Sequence, residues 1–125
     1  MPIREYARAL GVVLVLIGVV GLVLGERALP GVMNVVIPKG LAHLLMGGLL
    51  ACVGFVQTDE ELARTAVVAL GAVYLSVGVL GFVLPTLLGP QPYGYSMGEN
   101  AVHLVVGLLS LAVAFVSGRD STARV

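Results

Sequence analysis

Shifted by sixty residues, the chain lies on itself without a gap. Between Arg4/Arg64 and Thr58/Gly118, 18 of 55 residue pairs are identical. A composition rich in Gly, Val and Leu supplies several of these by chance. The rarer matches, Arg4/Arg64, Pro30/Pro90, His43/His103 and Phe55/Phe115, fall on the same diagonal as the glycines. Such internal similarity points to a duplicated structural unit, so whatever the first half folds into, the second should fold into as well.

Each unit holds two continuous apolar stretches, which gives four in all: residues 6–25, 40–56, 64–84 and 100–117. Each is close to the roughly 20 residues that cross a hydrocarbon core as a helix. With 58% hydrophobic residues, 11% charged and a mean hydropathy of +1.05, the chain is far more apolar than a soluble domain of 125 residues. In lipid every backbone group needs an internal partner, and stretches without alternating polarity meet that need as helices rather than barrel strands. The expected fold is an all-α membrane protein with four transmembrane helices. They would form an up-down bundle of two tandem hairpins, one transmembrane domain over residues 1–125 with repeat one at about 4–58 and repeat two at about 64–118.

Two spans per unit send both copies into the membrane in the same direction, related by a pseudo-two-fold axis along the membrane normal. Arg4, Arg8, Arg64, Arg119 and Arg124 flank one side, against Arg27 and Lys39 on the other, which predicts cytoplasmic termini. Arg4 and Arg8 before an apolar run, with Val23-Leu24-Gly25 after it, resemble a secretory signal. The second copy matches that run at Gly11, Val13, Gly18, Val19, Gly21, Val23 and Leu24, so the first span is expected to be retained.

In the turn between the units, Thr58 and Glu61 have the spacing of a capping box, and Glu60 and Arg64 that of an i, i+4 pair. The other two connections, 26–39 and 85–99, carry Pro30, Gly31, Pro38, Pro85, Pro90 and Pro92 and read as turns and loops. Tyr93 and Tyr95 fit an aromatic belt at the outer interface. Net charge is zero and the charges cluster at the span ends, so no basic surface for nucleic acid exists. Cys52 is the single cysteine, which excludes a disulfide within the chain, and it reads as a small buried apolar residue.

Glycines in a lipid-embedded helix mark close approach of a neighbour, because packing drives association there. Gly11, Gly18, Gly21 and Gly25 share a stripe in the first span; Gly71, Gly78 and Gly81 repeat it in the third, with Tyr74. In the second span Gly40, His43, Gly47, Ala51 and Gly54 share a face, and in the fourth Asn100, His103, Gly107, Ser110 and Ala114 do. The spacing suggests heptad-like packing of a left-handed bundle with its polar residues inward. Lys39 and Glu99 occupy equivalent positions one turn before the histidines. With the second and fourth helices facing each other, Lys39, Glu99, Asn100, His43 and His103 would form an outer polar cluster.

Three uses of that cluster compete. The histidines can be structural, bonding a carbonyl or a facing side chain to fix the register of the bundle, which is the favoured reading. They can be cofactor ligands, since two histidines at equal depth on different helices are what an axial pair on haem iron requires, with Gly47 and Gly107 clearing space. Or the ionisable groups can line an ion or proton path, although only one end of the bundle is polar. No phosphate loop, HExxH, paired intramembrane carboxylates or serine with a base is present, so no enzyme is expected.

Asn100-Ala101-Val102-His103-Leu104, followed by Val105-Val106-Gly107, resembles the Asn-x-Val-His-Leu-x-x-Gly pattern of a bacterial family of small four-span membrane proteins of unknown function. Gly78-Val79-Leu80-Gly81-Phe82 and the Pro-rich outer loop are also similar to it, and Gly40 departs from the pattern where Asn100 keeps it. The resemblance implies a fold and a bacterial membrane location, and no activity. The expected protein is therefore a non-enzymatic subunit of the bacterial cytoplasmic membrane that packs with a larger membrane complex or with itself. A haem- or other cofactor-binding bundle is the alternative, and a small ion or proton transporter a more distant one.

Overall fold

A computed structural model describes residues 2–25, 27–29, 33–35, 37–86 and 96–123. Four helices dominate it: α1 (Ile3–Leu24), α2 (Ile37–Phe55), α3 (Glu60–Val83) and α4 (Met97–Ala123). Each is long and apolar enough to cross a membrane. All four begin earlier than the apolar stretches do, because a polar or proline-containing first turn is compatible with a helix whose first N–H groups have no internal partner anyway.

The connection after α1 contains an antiparallel ribbon where the sequence suggested only turns. Strand β1 (Arg27–Leu29) pairs with β2 (Met33–Val35), Ala28 opposite Asn34. Helix α1 ends at Gly25, whose φ of 73° suits a residue without a side chain, and its N–H donates to the Gly21 carbonyl at 3.1 Å. Residues 30–32, Tyr93, Tyr95, Pro90, Pro92 and Arg124 lie outside the described residues.

The turn into α3 also corrects an expectation. Asp59, not Thr58, caps the helix, its Oδ1 accepting from the N–H groups of Glu61 at 2.9 Å and Leu62 at 3.3 Å. Arg64 pairs with Glu61 at i, i+3 rather than with Glu60. A carboxylate reaches two orphan N–H groups and carries charge to the positive end of the helix, so it outcompetes the neighbouring hydroxyl.

Helix α1 packs antiparallel on α2, and α3 on α4, with glycines at the crossings. A Cβ at Gly47 would lie 2.6 Å from the Val15 nitrogen and 2.9 Å from the Gly11 oxygen. Sixty residues on, a Cβ at Gly107 would lie 2.6 Å from the Leu75 nitrogen and 2.9 Å from the Gly71 oxygen. Gly18 faces Leu44 as Gly78 faces Leu104, and Gly11 faces Ala51 as Gly71 faces Leu111. The backbones therefore approach where nothing larger than hydrogen fits. Gly21 is only half-buried, whereas the other candidate packing glycines are buried.

Between the two pairs, α3 lies against α1 and α2, and α4 more loosely against α1. Helices α2 and α4 do not face each other as expected; α2 packs on α1 and α3 instead, and it meets α4 through the Lys39–Glu99 and His43–His103 side chains. At the end carrying the N-terminus the interior is closed and apolar: Ala7, Ala63 and Val67 are fully buried, with Ile3 and Ala114 at 2% exposure. Arg8 donates through Nε to the Gly54 carbonyl at 2.7 Å, one of the carbonyls left open at the end of α2, and its guanidinium lies 5.5 Å from the Phe55 ring. Arg64 reaches Ser117 of α4 at 3.1 Å. Leu16, Leu45, Leu49, Val105 and Leu108 point outward, as lipid-facing residues would. Cys52 is exposed among them, not buried as expected, because it sits on the face of α2 opposite the glycines.

Candidate functional site

The site is built from the start of α4. Ser96 and Glu99 form a reciprocal capping box: the Ser96 N–H donates to Glu99 Oε2 at 2.9 Å and the Glu99 N–H donates to Ser96 Oγ at 3.2 Å. This fixes the carboxylate and turns its other oxygen toward α2. There Lys39 Nζ donates to Oε1 at 2.8 Å, the two side chains being 11% and 9% exposed.

Lys39 also orients the first histidine. Its carbonyl lies 2.7 Å from His43 Nδ1. A carbonyl only accepts, so Nδ1 of His43 is the donor in this bond. His43 is half-buried and His103 is 8% exposed.

The two imidazole centroids are 6.4 Å apart with planes inclined by 27°. Tyr74 of α3 completes a triangle, its ring edge-on to His103 at 5.2 Å and 6.2 Å from His43. Tyr74 is 3% exposed, and its hydroxyl has no hydrogen-bond partner among the described residues. The three rings line a cavity of about 270 Å³ between α2 and α3, together with Lys39, Ala42 and Val77.

Lys39, Glu99, His43 and His103 thus meet in space. Asn100 does not join them. It is buried against α3, where a Cβ at Gly81 would collide with Oδ1, so Gly81 makes the pocket that an amide at position 100 requires. Three contributors escaped the sequence reading. Ser96 was legible as Ser-x-x-Glu before an apolar run. Tyr74 was noted for its stripe but not as part of the cluster. The Tyr6–Ser110 bond, hydroxyl to hydroxyl at 2.7 Å, joins α1 to α4 across 104 residues and had no local signal.

Among the described residues no three His, Cys, Asp or Glu side chains converge as a metal site. A haem held by both histidines would place its iron between the rings. The triangle puts the Tyr74 ring where the rim of such a macrocycle would lie, so the arrangement favours three packed rings over an axial pair. No family model, curated protein or solved structure matches the chain. The motif from Asn100 to Gly107 accordingly brings no residue role to this site.

Proposed function

We propose that the chain is a multi-pass integral membrane protein of a bacterial cytoplasmic membrane, two tandem hairpins of common descent with both termini in the cytoplasm. Its role is non-enzymatic: a structural or accessory subunit that packs with other membrane proteins or with itself. The recurrence of the glycine contacts at an offset of sixty supports the descent of both halves from one unit. The arginine-rich flanks support the orientation.

The observation that carries the structural role is the closed Lys39–Glu99 pair, with Ser96 on the second carboxylate oxygen. Groups lining an ion path must exchange partners with the ion, whereas these are satisfied by one another and join two hairpins. The glycine stripes are used within the chain, so association with a partner falls to the outward apolar faces. Gly48 on α2, with nothing within 4 Å of a built Cβ, belongs to such a face.

The test is purification in native lipid with identification of co-purifying chains by mass spectrometry, beside an absorption spectrum after expression with added haem. The account predicts a stable complex or oligomer and no Soret band. A Soret band lost in His43→Ala, His103→Ala would replace it with the cofactor reading. Flux in proteoliposomes that depends on Glu99 would replace it with transport.

A further inference from the structure

The two hairpins are finished differently at the end that carries the N-terminus. In the first, Arg8 of α1 bonds the Gly54 carbonyl near the end of α2, and its guanidinium lies over Phe55. The stem of Arg8 packs so closely there that a Cβ at Gly54 would lie 2.8 Å from its Cγ. Sixty residues on, Phe115 repeats Phe55, but Arg8 has become Val68. Helix α4 also runs on to Ala123, so no end carbonyl beside Phe115 needs a donor. The shorter side chain leaves an open cleft of about 700 Å³ between α3 and α4, lined by Val68, Leu111, Phe115 and Gly118 together with Arg64 and Arg119. Arg119 stands where the first copy has Asp59. The cation that the first hairpin spends between its helices is therefore carried at the rim in the second.

Charge restricts what covers this cleft. Its lining holds two arginines and no acid. Arg64 is bonded to Glu61 and to Ser117 and forms a fixed part of the wall. The exposed Glu61 offsets one of the two positive charges, and Arg119 supplies the other. Arg119 is exposed, lies 5.9 Å from the Phe115 ring and makes no hydrogen bond or ion pair among the described residues. Its guanidinium donors are open to an anion from outside the chain. Depth restricts the occupant further. Arg119 closes the span of α4, and Leu111 lies about 12 Å deeper, at 1.5 Å per residue. An anion at the rim with hydrocarbon below it is the order in which a phospholipid presents its phosphate and its acyl chains.

We propose that the cleft between α3 and α4 holds an anionic phospholipid, its phosphate bonded by Arg119 beside Arg64 and one acyl chain laid over Val68 and Leu111. One guanidinium can give a phosphate two parallel N–H bonds, so Arg119 serves as the donor without releasing Arg64 from Glu61. The proposal rests on the membrane reading and uses neither the accessory role nor the Lys39–Glu99 pair. A failure to retain the lipid leaves that role standing, and a failure to find a partner chain leaves the cleft standing.

The test is native mass spectrometry of the whole protein released from nanodiscs of equimolar dioleoyl phosphatidylglycerol and dioleoyl phosphatidylethanolamine. Circular dichroism in the same discs reports insertion and helicity separately, for wild type and every variant. One phosphatidylglycerol retained per chain is expected, favoured over phosphatidylethanolamine about tenfold. Arg119→Gln should remove most of that preference. Val68→Trp should fill the cleft and release the lipid, while Leu108→Trp on the outer face should not. Arg8→Gln deletes an equal charge at the same end of the bundle and should leave the preference intact. Equal retention of the two lipids, or unchanged retention in Val68→Trp, would overturn the proposal. Equal losses in Arg8→Gln and Arg119→Gln would also overturn it, by reducing the preference to net charge. A co-purifying protein released by Val68→Trp, with no lipid retained by wild type, would overturn it in favour of a protein partner.

Discussion

The two hairpins share one glycine register and differ in what they bury beside it. Leu14, Gly40 and Leu50 of the first correspond to Tyr74, Asn100 and Ser110 of the second, and Lys39 corresponds to Glu99. Each of the four polar residues in the second hairpin is at most 8% exposed. Two of them bond to the first hairpin: Ser110 to Tyr6 and Glu99 to Lys39. Packing within a hairpin is thus set by what the halves have in common, and pairing between hairpins by where they diverge. Two copies of the first hairpin joined in this way would set Lys39 against Lys39, and two of the second Glu99 against Glu99. Only the mixed pairing brings opposite charges together, which gives the divergence a physical use.

The largest effect should come from breaking that mixed pair. Glu99→Gln alone leaves the Lys39 ammonium in a poorly solvated site and should cost about 3–5 kcal/mol of stability in micelles. Lys39→Met should also destabilise, and the double variant should lose clearly less than the sum. Strictly additive losses in denaturant titrations would show that the pair does not couple the hairpins.

Next comes the shared register. Gly47→Leu and Gly107→Leu meet backbone atoms at the same distances and should each cost about 1–3 kcal/mol or more, by similar amounts. Gly48→Leu, beside them but facing outward, should stay within about 0.5 kcal/mol. A large difference between the first two would mean that the hairpins are not packed alike.

A smaller effect belongs to the second tie. Tyr6→Phe and Ser110→Ala should each cost about 1 kcal/mol, the modest worth of such bonds in membranes, and together little more than one alone. Thermal unfolding of the four species measures it. Smallest is the turn joining the hairpins: Asp59→Ala should cost about 1 kcal/mol and Thr58→Ala almost nothing, a contrast visible by circular dichroism.

Much of this was legible in the chain. Four apolar stretches and glycines spaced along one face dictate helices and their contact sides, because lipid removes other backbone solutions and small residues admit close approach. The Lys39–Glu99 meeting followed from equivalent positions of opposite charge. What escaped depended on choices among near-equal local options or on distant partners. Thr58 and Asp59 are both good caps, and only geometry separates them. Tyr6 and Ser110 are adjacent solely because the bundle closes. The ribbon around Pro30-Gly31 is too short for alternation to register. The half-exposure of His43 follows from the groove between α2 and α3, which no spacing within one helix encodes.

The most direct test of the account is a distance across the hairpins. With Cys52→Ala as background, His43→Cys, His103→Cys should be joined within one chain by a short bifunctional thiol reagent in native membranes. Gly48→Cys, Leu108→Cys, on outward faces of the same helices, should not. Efficient linkage of the first pair and none of the second is the predicted result. The reverse would mean that the histidines face lipid and that the two hairpins do not meet through their polar residues.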